Sequence, residues 1–438
     1  MRDRCAFQEE LLPRTIAEAL QIPFYQRHWR GRNAAMVASL GDLPSLPLLS
    51  KDELSEADDL LRDGERAVTL IHSTGTTGRP LVRFRGEAEL AAVRAVAHRL
   101  AEVREAEPDV VFTTLGASIH GGGVPTPSRA HVVVIACSSK WLIDHAVTLI
   151  RRSPIIPSLD DASIELHGRP RHLAILATEL ARFPISERVH VRAVTSVGYG
   201  ISRSLRRFLQ RTFPNAAVRD TFSLSEIVAG AERCASCGGY HMAAPVVAEI
   251  VALDGEGPAP DATGRLVLTE LFPFSQLQPL IRYVTGDIVR AVARECEEGG
   301  GFDFVGRAAV TPVAVLGGRP SVVLSPWTLG EILEEMPGAA RSPLGNALTP
   351  PYDVLPMGPP YLDARLVEAE GGQRLVLRVG VSFAPQLHPE AAMAFERDLV
   401  TRLVEEDVHF RRAQAMGLPC ELRLCQSDAF PPPSSLGK

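Results

Sequence analysis

The stretch His72-Ser73-Thr74-Gly75-Thr76-Thr77-Gly78-Arg79-Pro80 is made largely of glycine and hydroxylated residues, and it follows the apolar run Ala67 to Ile71. Glycine lets a backbone turn tightly and approach a ligand with no Cβ in the way, so such a loop can lay N–H groups and hydroxyls along a polyphosphate. Arg79 adds a cation of forked, bidentate geometry. An ordinary Ser/Thr/Gly surface turn is the competing reading, and the Walker arrangement G-x-x-x-x-G-K-[ST] is absent here. A second set of residues points to metal. Cys234, Cys237 and His241 are spaced C-x2-C-x3-H, which suits tetrahedral Zn²⁺, and Cys296, inside the polar stretch Glu295 to Gly299, is the best fourth donor. Four protein donors leave no open coordination position, so the zinc would be structural. Two buried cysteines beside a surface histidine, or a redox pair, are the alternatives.

Rigid elements must hold these groups. Ala67 to Ile71 reads as a strand and Glu87 to Val103 as an amphipathic helix, with Leu90, Val93, Val96 and Leu100 on one face. Val110 to Leu115, His131 to Ala136 and Val189 to Val197 read as strands, and Ile201 to Phe213 as a basic amphipathic helix. This alternation predicts a large N-terminal α/β domain. Ahead of it lie helices over Leu11 to Leu20 and Asp52 to Arg62, the second with Ser50 as its N-cap. Strands over Val246 to Leu253, Gly264 to Glu270 and Leu280 to Ile288 predict a β-rich subdomain. Beyond Gly306-Arg307 the pattern predicts a small α+β C-terminal domain. It comprises a βα unit, a connector from Pro343 to Pro360, strands over Leu362 to Val367 and Arg374 to Ser382, one helix from Pro389 to Gln414 and a last strand from Cys420 to Leu424. The expected division is residues 1–306 and 307–438.

The chain has 438 residues, 45% hydrophobic and 22% charged, which is ordinary globular composition of a length for two or three domains. A net charge of −6 with no long Lys/Arg run argues against nucleic-acid and membrane-surface partners. No apolar run reaches 18 residues. Met1-Arg2-Asp3-Arg4-Cys5 lacks the apolar core of a signal peptide, so a cytoplasmic location is expected. Seven cysteines in so long a chain do not make a disulfide scaffold. A homodimer is compatible with the sequence, which leaves the oligomeric state open.

The loop from Ser73 to Pro80 resembles the phosphate loop of the adenylate-forming ligases, S-S-G-T-T-G-K-P, with Arg79 where that superfamily usually has Lys. Further stretches resemble it in the same order. Val197-Gly198-Tyr199-Gly200 closes a strand before a helix, where glycine admits a planar base or substrate. Asp220-Thr221-Phe222-Ser223-Leu224-Ser225-Glu226 resembles Y-G-x-S/T-E, with Phe222 in place of Tyr and Ser223 in place of Gly. Pro279-Leu280-Ile281-Arg282-Tyr283-Val284-Thr285-Gly286-Asp287 is similar to the phenylacetate–CoA ligase form P-L-I-R-Y-x-T-G-D. Phe304-Val305-Gly306-Arg307 resembles the segment before the hinge, but Ala309 stands where an Asp or Lys is usual. Ser434 to Lys438 resembles the terminal x-G-K segment, and Phe24-Tyr25 and Pro47 to Lys51 extend the likeness over nearly the whole chain.

The resemblance implies an ATP-dependent ligase that converts a carboxylic acid to an acyl-adenylate and then to a thioester, most simply with coenzyme A. It implies that Ser73 to Gly78 with Arg79 hold the β and γ phosphates. Gly198, Tyr199, Gly200, Thr221, Phe222 and Ser223 would border the adenine, and Glu226 would hold Mg²⁺. Asp287 would accept ribose hydroxyls, Arg307 would contact the ribose or α-phosphate, and Lys438 would bridge carboxylate and α-phosphate. Gly116 to Gly123 would line the acyl pocket, and some phenylacetate–CoA ligase relatives are similar in carrying Cys and His at the zinc positions. An aryl or small hydrophobic acid follows from the branch. Transfer to an amine or a carrier-protein thiol, and a catalytically silent nucleotide-binding relative, are the competing expectations.

Overall fold

Short sequence signals set the N-terminal helices, and tertiary contacts set where they end. The computed structural model describes the chain apart from residues 1–3, 58, 65, 73–80, 104–109, 116–130, 138, 153–162, 199, 295, 297–298, 343–357, 370–371 and 431–438. Helix α1 (Arg4–Ala19) buries Leu12, Ile16 and Ala19 at helical spacing. Helix α2 (Pro23–His28) starts on a proline. Helix α3 (Lys51–Glu56) opens on a capping box, with Ser50 Oγ accepting the Glu53 N–H at 3.2 Å and Glu53 Oε2 accepting the Ser50 N–H at 2.8 Å. The sequence predicts this helix to run to Arg62, but it stops at Glu56, where Ala57 turns extended. Leu60 then enters the core, and the Arg62 N–H donates to the Leu277 carbonyl at 2.9 Å. Burial outweighs the propensity for another turn.

The hairpin β1 (Ala67–His72) and β2 (Val82–Gly86) is antiparallel and leads into α4 (Glu87–Val103). The α/β layer follows as β3 (Val110–Leu115), β4 (His131–Ala136), α5 (Lys140–Arg152), β5 (Ile164–Gly168), α6 (Pro170–Leu180), β6 (Val191–Ser196), α7 (Arg203–Thr212) and β7 (Ala217–Phe222). Strands β4-β3-β5-β6-β7 pair in parallel, and their apolar residues form one core with the flanking helices. Next come β8 (Ala231–Arg233), β9 (Tyr240–Met242), β10 (Val246–Val251), β11 (Thr263–Glu270), β12 (Tyr283–Ala291) and β13 (Phe302–Arg307), all antiparallel. The β-rich segment does not form a sheet of its own. Strand β7 pairs with β6 on one side and β8 on the other, giving one 11-stranded sheet ordered β10-β11-β12-β13-β9-β8-β7-β6-β5-β3-β4. The strand expected over Leu280 to Ile288 begins only at Tyr283. Arg282 takes a positive φ of 52°, and its wholly buried side chain pairs with Glu249 at 3.0 Å.

The small C-terminal domain carries its own core. Its first unit is a hairpin and helix rather than the expected βα. β14 (Val313–Leu316) and β15 (Arg319–Val322) join through Gly317 and Gly318, both at positive φ, before α8 (Pro326–Glu335). Then come β16 (Leu362–Ala369), β17 (Gly372–Gly380), α9 (Pro389–Glu406), α10 (Val408–Ala415) and β18 (Cys420–Cys425), with β17 central in a three-stranded sheet. The single helix expected over Pro389 to Gln414 is broken at Asp407, whose extended backbone ends α9 and whose carboxylate caps α10. Its oxygens accept the N–H groups of His409 (2.8 Å), Phe410 (3.3 Å) and, from the start of α8, Ser325 (2.7 Å).

The domains meet through acids of α8 and α9 and the first turn of α7. Glu331 Oε1 accepts the Arg203 N–H at 3.0 Å, Glu334 Oε2 accepts Ser202 Oγ–H at 2.6 Å, and Arg203 pairs with Glu406 at 2.6 Å. Carboxylates suit the positive end of a helix. Among the described residues no helix is long and apolar enough to cross a membrane. Asp407→Ala strands three buried N–H groups, so it is expected to lower unfolding free energy by about 1–3 kcal/mol in urea denaturation. A midpoint equal to wild type would contradict this.

Candidate functional site

Asp287 lies inside β12, within the strand expected over Leu280 to Ile288. Against β11, Arg265 faces Ile288 and Val267 faces Val284, so Thr285-Gly286-Asp287 bulges out of the ladder. Gly286 adopts φ +79°, and Thr285 Oγ1 stitches the bulge, donating to the Leu266 carbonyl at 3.0 Å and accepting the Asp287 N–H at 3.1 Å. Asp287 faces Arg307 in register on β13, and Arg307 Nη1 sits 2.6 Å from its Oδ1. The carboxyl is 2% exposed, yet Oδ2 has no hydrogen-bond partner. Burial pushes its pKa up to about 6 against the pull of Arg307, with Glu226 adding to the rise.

Glu226 does not start a helix. It sits in the turn between β7 and β8, with its side chain buried. Tyr283 donates its hydroxyl to Oε1 at 3.0 Å, and Ser225 Oγ–H donates to Oε2 at 3.0 Å. Among the described residues Glu226 forms no ion pair, so its carboxylate is held by neutral hydroxyls alone. Burial, then the Glu226 charge, pushes the Tyr283 phenol well above its usual range and keeps it a donor. Segments far apart in the chain position this strand. Tyr25 Oη donates to the Pro279 carbonyl at 2.8 Å and accepts the Ile281 N–H at 3.1 Å, and Leu49 bridges to Tyr283. Arg307 interacts electrostatically with Asp287, Glu226 and Tyr283, so these four groups share one region. The sequence reading missed Tyr283 as a site residue, although its motif contains it.

Thr221 Oγ1 donates to the Ser196 carbonyl. Phe222 packs edge-on against Phe302, with ring centroids 5.7 Å apart. Gly198 has φ +82°, and a Cβ there would lie 3.9 Å from Ser223 Oγ. The space beside Gly200 is taken from within the chain, because a Cβ there would come within 2.9 Å of the Trp327 indole and 3.1 Å of Tyr240 Oη. Its close approach serves the small domain's Trp327. Ser73, Thr74, Gly75, Thr76, Thr77, Gly78, Arg79, Tyr199, Lys438 and the stretch 116–123 lie outside the described residues.

Cys234, Cys237, His241 and Cys296 bring one donor atom each within 4.8 Å of one another. Cys234 Sγ lies 3.6 Å from Cys296 Sγ, and Cys237 Sγ lies 3.1 Å from His241 Nε2. A zinc tetrahedron with bonds near 2.3 Å has edges of about 3.8 Å between sulfurs, so the donors fit zinc. Backbone N–H groups of Cys237 and Ser236 lower the Cys234 thiol to about 7. The cluster joins the β8–β9 hairpin to the β12–β13 loop. The β12–β13 ladder runs from Asp287↔Arg307 to Ala291↔Phe302, which puts the cluster at the end away from Asp287, roughly 13 Å along the strands.

No protein-family model matches the sequence, and no curated protein matches it. Solved structures do. An open conformation of 2-hydroxyisobutyryl-CoA ligase, in complex with 2-HIB-AMP and CoA, matches with a TM-score of 0.66 at 16% identity, covering 98% of this chain and 89% of that one. The same enzyme with 2-HIB-AMP and CoA in the thioesterification state gives 0.56 at 17% identity over 98% and 87%. A benzoate CoA ligase from Burkholderia xenovorans LB400 gives 0.51 at 14% identity over 86% and 68%. The chain has the fold of these adenylate-forming ligases, a large α/β part with a small C-terminal domain.

The raised pKa of Asp287 fixes a pH dependence. Its proton is bound more tightly in the folded state, so the stability it contributes is complete below about pH 4 and is lost as pH rises through about 6. Asn cannot ionise and avoids that loss. The unfolding free energy of Asp287→Asn relative to wild type is expected to rise by on the order of 2 kcal/mol between pH 4 and 7 in urea denaturation at stepped pH. A difference that stays flat would contradict the assignment.

Proposed function

We propose that this chain is an ATP-dependent ligase that activates a carboxylic acid as its acyl-adenylate and passes the acyl group to coenzyme A. The convergence of Glu226, Asp287 and Arg307 carries the reading. They come from separate strands and loops, one buried carboxylate oxygen is left without a donor, and the fold is that of acyl-CoA ligases. In the first step a carboxylate oxygen attacks the α-phosphorus and the bond to pyrophosphate breaks. In the second the thiol sulfur attacks the acyl carbon, losing its proton, and AMP leaves. The protein's work is positioning and charge neutralisation.

Asp287 takes ribose hydroxyls on Oδ2, and two such donors favour its ionised form against burial. Arg307, paired with Asp287 and half exposed, lies where ribose and α-phosphate meet. Glu226 fits a divalent cation, being a buried carboxylate held by hydroxyls and forming no ion pair among the described residues. Bound there, Mg²⁺ supplies neutralisation of the phosphate charge. Ser73 to Gly78 with Arg79 hold the outer phosphates, and Lys438 steadies the developing charge. These two assignments rest on the sequence. Residues 1–306 act as the adenylation part and 307–438 as the lid. Cys234, Cys237, His241 and Cys296 hold one structural Zn²⁺.

An aryl or small hydrophobic acid, as in the phenylacetate–CoA ligase branch, is the substrate class. The ligases with this fold named above are named for an aryl acid, benzoate, and for a small branched hydroxy acid, 2-hydroxyisobutyrate. Ala309 at the hinge position favours a second acceptor reading, transfer to a carrier-protein thiol or an amine.

Glu226→Gln and Asp287→Ala are each expected to lower acid-dependent pyrophosphate exchange by on the order of 10²-fold or more. Rates within twofold of wild type for both would overturn the assignment. Purified protein is expected to carry one zinc per chain by elemental analysis, lost in Cys234→Ser together with some stability. Zinc-free protein whose seven cysteines all titrate as free thiols would rule the metal out.

A further inference from the structure

Strand β2 carries Arg83 and Arg85, spaced two apart and so on one face, and that face is buried, at 1% and 2% exposure. Two interior guanidinium groups persist only when their charge is compensated and their donors are hydrogen-bonded, and two buried carboxylates, Glu270 and Glu89, supply that compensation. Glu270, at the end of β11 and 0% exposed, meets both: Arg83 Nη2 to Oε2 and Arg85 Nη2 to Oε1, each 2.8 Å. Ser275 Oγ–H donates to Glu270 Oε2 at 2.9 Å, and Arg85 Nη1 donates to Ser275 Oγ at 3.1 Å. Burial brings Arg83 down to about 10, so it stays charged at neutral pH.

Arg83 Nη1 donates to the Gln278 carbonyl, and the other bonds of this network run to the Glu226 turn. Arg83 Nε and Arg85 Nη2 both donate to the Glu226 carbonyl, at 3.1 and 3.3 Å, and the Val228 N–H donates to Glu270 Oε1 at 2.7 Å. The backbone immediately after the Glu226 side chain is thus fixed by three buried charges, while Tyr283 fixes the carboxylate itself. Buried ion pairs seldom stabilise a fold more than well-packed apolar residues do. Fixing a geometry is a use that apolar packing, being non-directional, would not serve.

We propose that Arg83, Arg85 and Glu270 are positioning residues that aim the Glu226 carboxylate at the metal–nucleotide complex. The inference rests on the ligase reading above. Partners one step removed from a metal ligand typically change affinity by about 10–100-fold when altered.

The test uses the full chain with Arg83→Lys, Arg85→Lys, Glu270→Gln and the milder Ser275→Ala. Two quantities are measured. One is binding of the Mn²⁺ complex of ATP, followed by paramagnetic resonance. The other is the Mg²⁺ concentration for half-maximal pyrophosphate exchange. The charged variants are expected to weaken both by roughly 10-fold and Ser275→Ala by about 3-fold, with KM for the acid unchanged. Leu268→Ala, a cavity in the same strand β11, serves as the stability control and is expected to leave both unchanged. Wild-type values in the folded variants, Ser275→Ala included, would overturn the proposal, as would an equal loss in Leu268→Ala. A wild-type chain that exchanges pyrophosphate with no acid would instead overturn the ligase reading, and this inference with it.

Discussion

Two arginines and a glutamate with almost no exposure to water impose the tightest constraint on this structure. Removing Glu270 from such a set leaves interior positive charge uncompensated, at a cost of about 3–5 kcal/mol. That is a large share of the roughly 5–15 kcal/mol by which folded domains are stable. Arg83, Arg85 and Glu270 therefore tolerate only arrangements in which β2, the turn after β7 and the end of β11 stand in one register. Those segments lie far apart in the chain, and β2 belongs to a two-stranded sheet with β1, so the network forms only where that sheet packs against the 11-stranded one.

The candidate site depends on that register. Its two acids have opposite surroundings. Asp287 is held by a cation on one oxygen and left bare on the other, while Glu226 is held by hydroxyls with no ion pair among the described residues. Each arrangement is incomplete in a complementary way, one lacking hydrogen-bond donors and the other lacking positive charge. The bulge at Thr285 to Asp287 creates the first of these by lifting three residues out of the ladder between β11 and β12. The second domain reaches the same neighbourhood through Trp327 at Gly200 and through the ion pairs of α8 and α9 with α7. Rotation of the small domain would have to break those pairs, which are partly exposed and weakened by salt.

Local signals were legible in the sequence. The N-cap at Ser50, the helix from Glu87 to Val103 and the strands β3, β4 and β6 follow from residue type and period, whereas β5 and β7 escaped the reading. The Cys and His spacing led to a cluster that the fold does assemble. Features that depend on contacts distant in sequence were not legible. A helix pattern gives no sign that Asp407 has Ser325 to bond, so the break between α9 and α10 is invisible. V-R-F-R gives no sequence sign of an interior partner for its arginines, and only the fold reveals Glu270 beneath them. Nor does Thr-Gly-Asp distinguish a bulge from a turn, since both use a glycine at positive φ.

The central claim, that a carboxylate attacks the α-phosphate of ATP, can be read from a single atom. An acid accepted by the enzyme, labelled with oxygen-18 in its carboxylate, is turned over with ATP and the acyl acceptor, and the AMP is analysed by mass spectrometry. The account predicts one labelled oxygen in the phosphate of AMP, because the bridging oxygen of the adenylate leaves with it. AMP without label, or label in orthophosphate, would contradict the account.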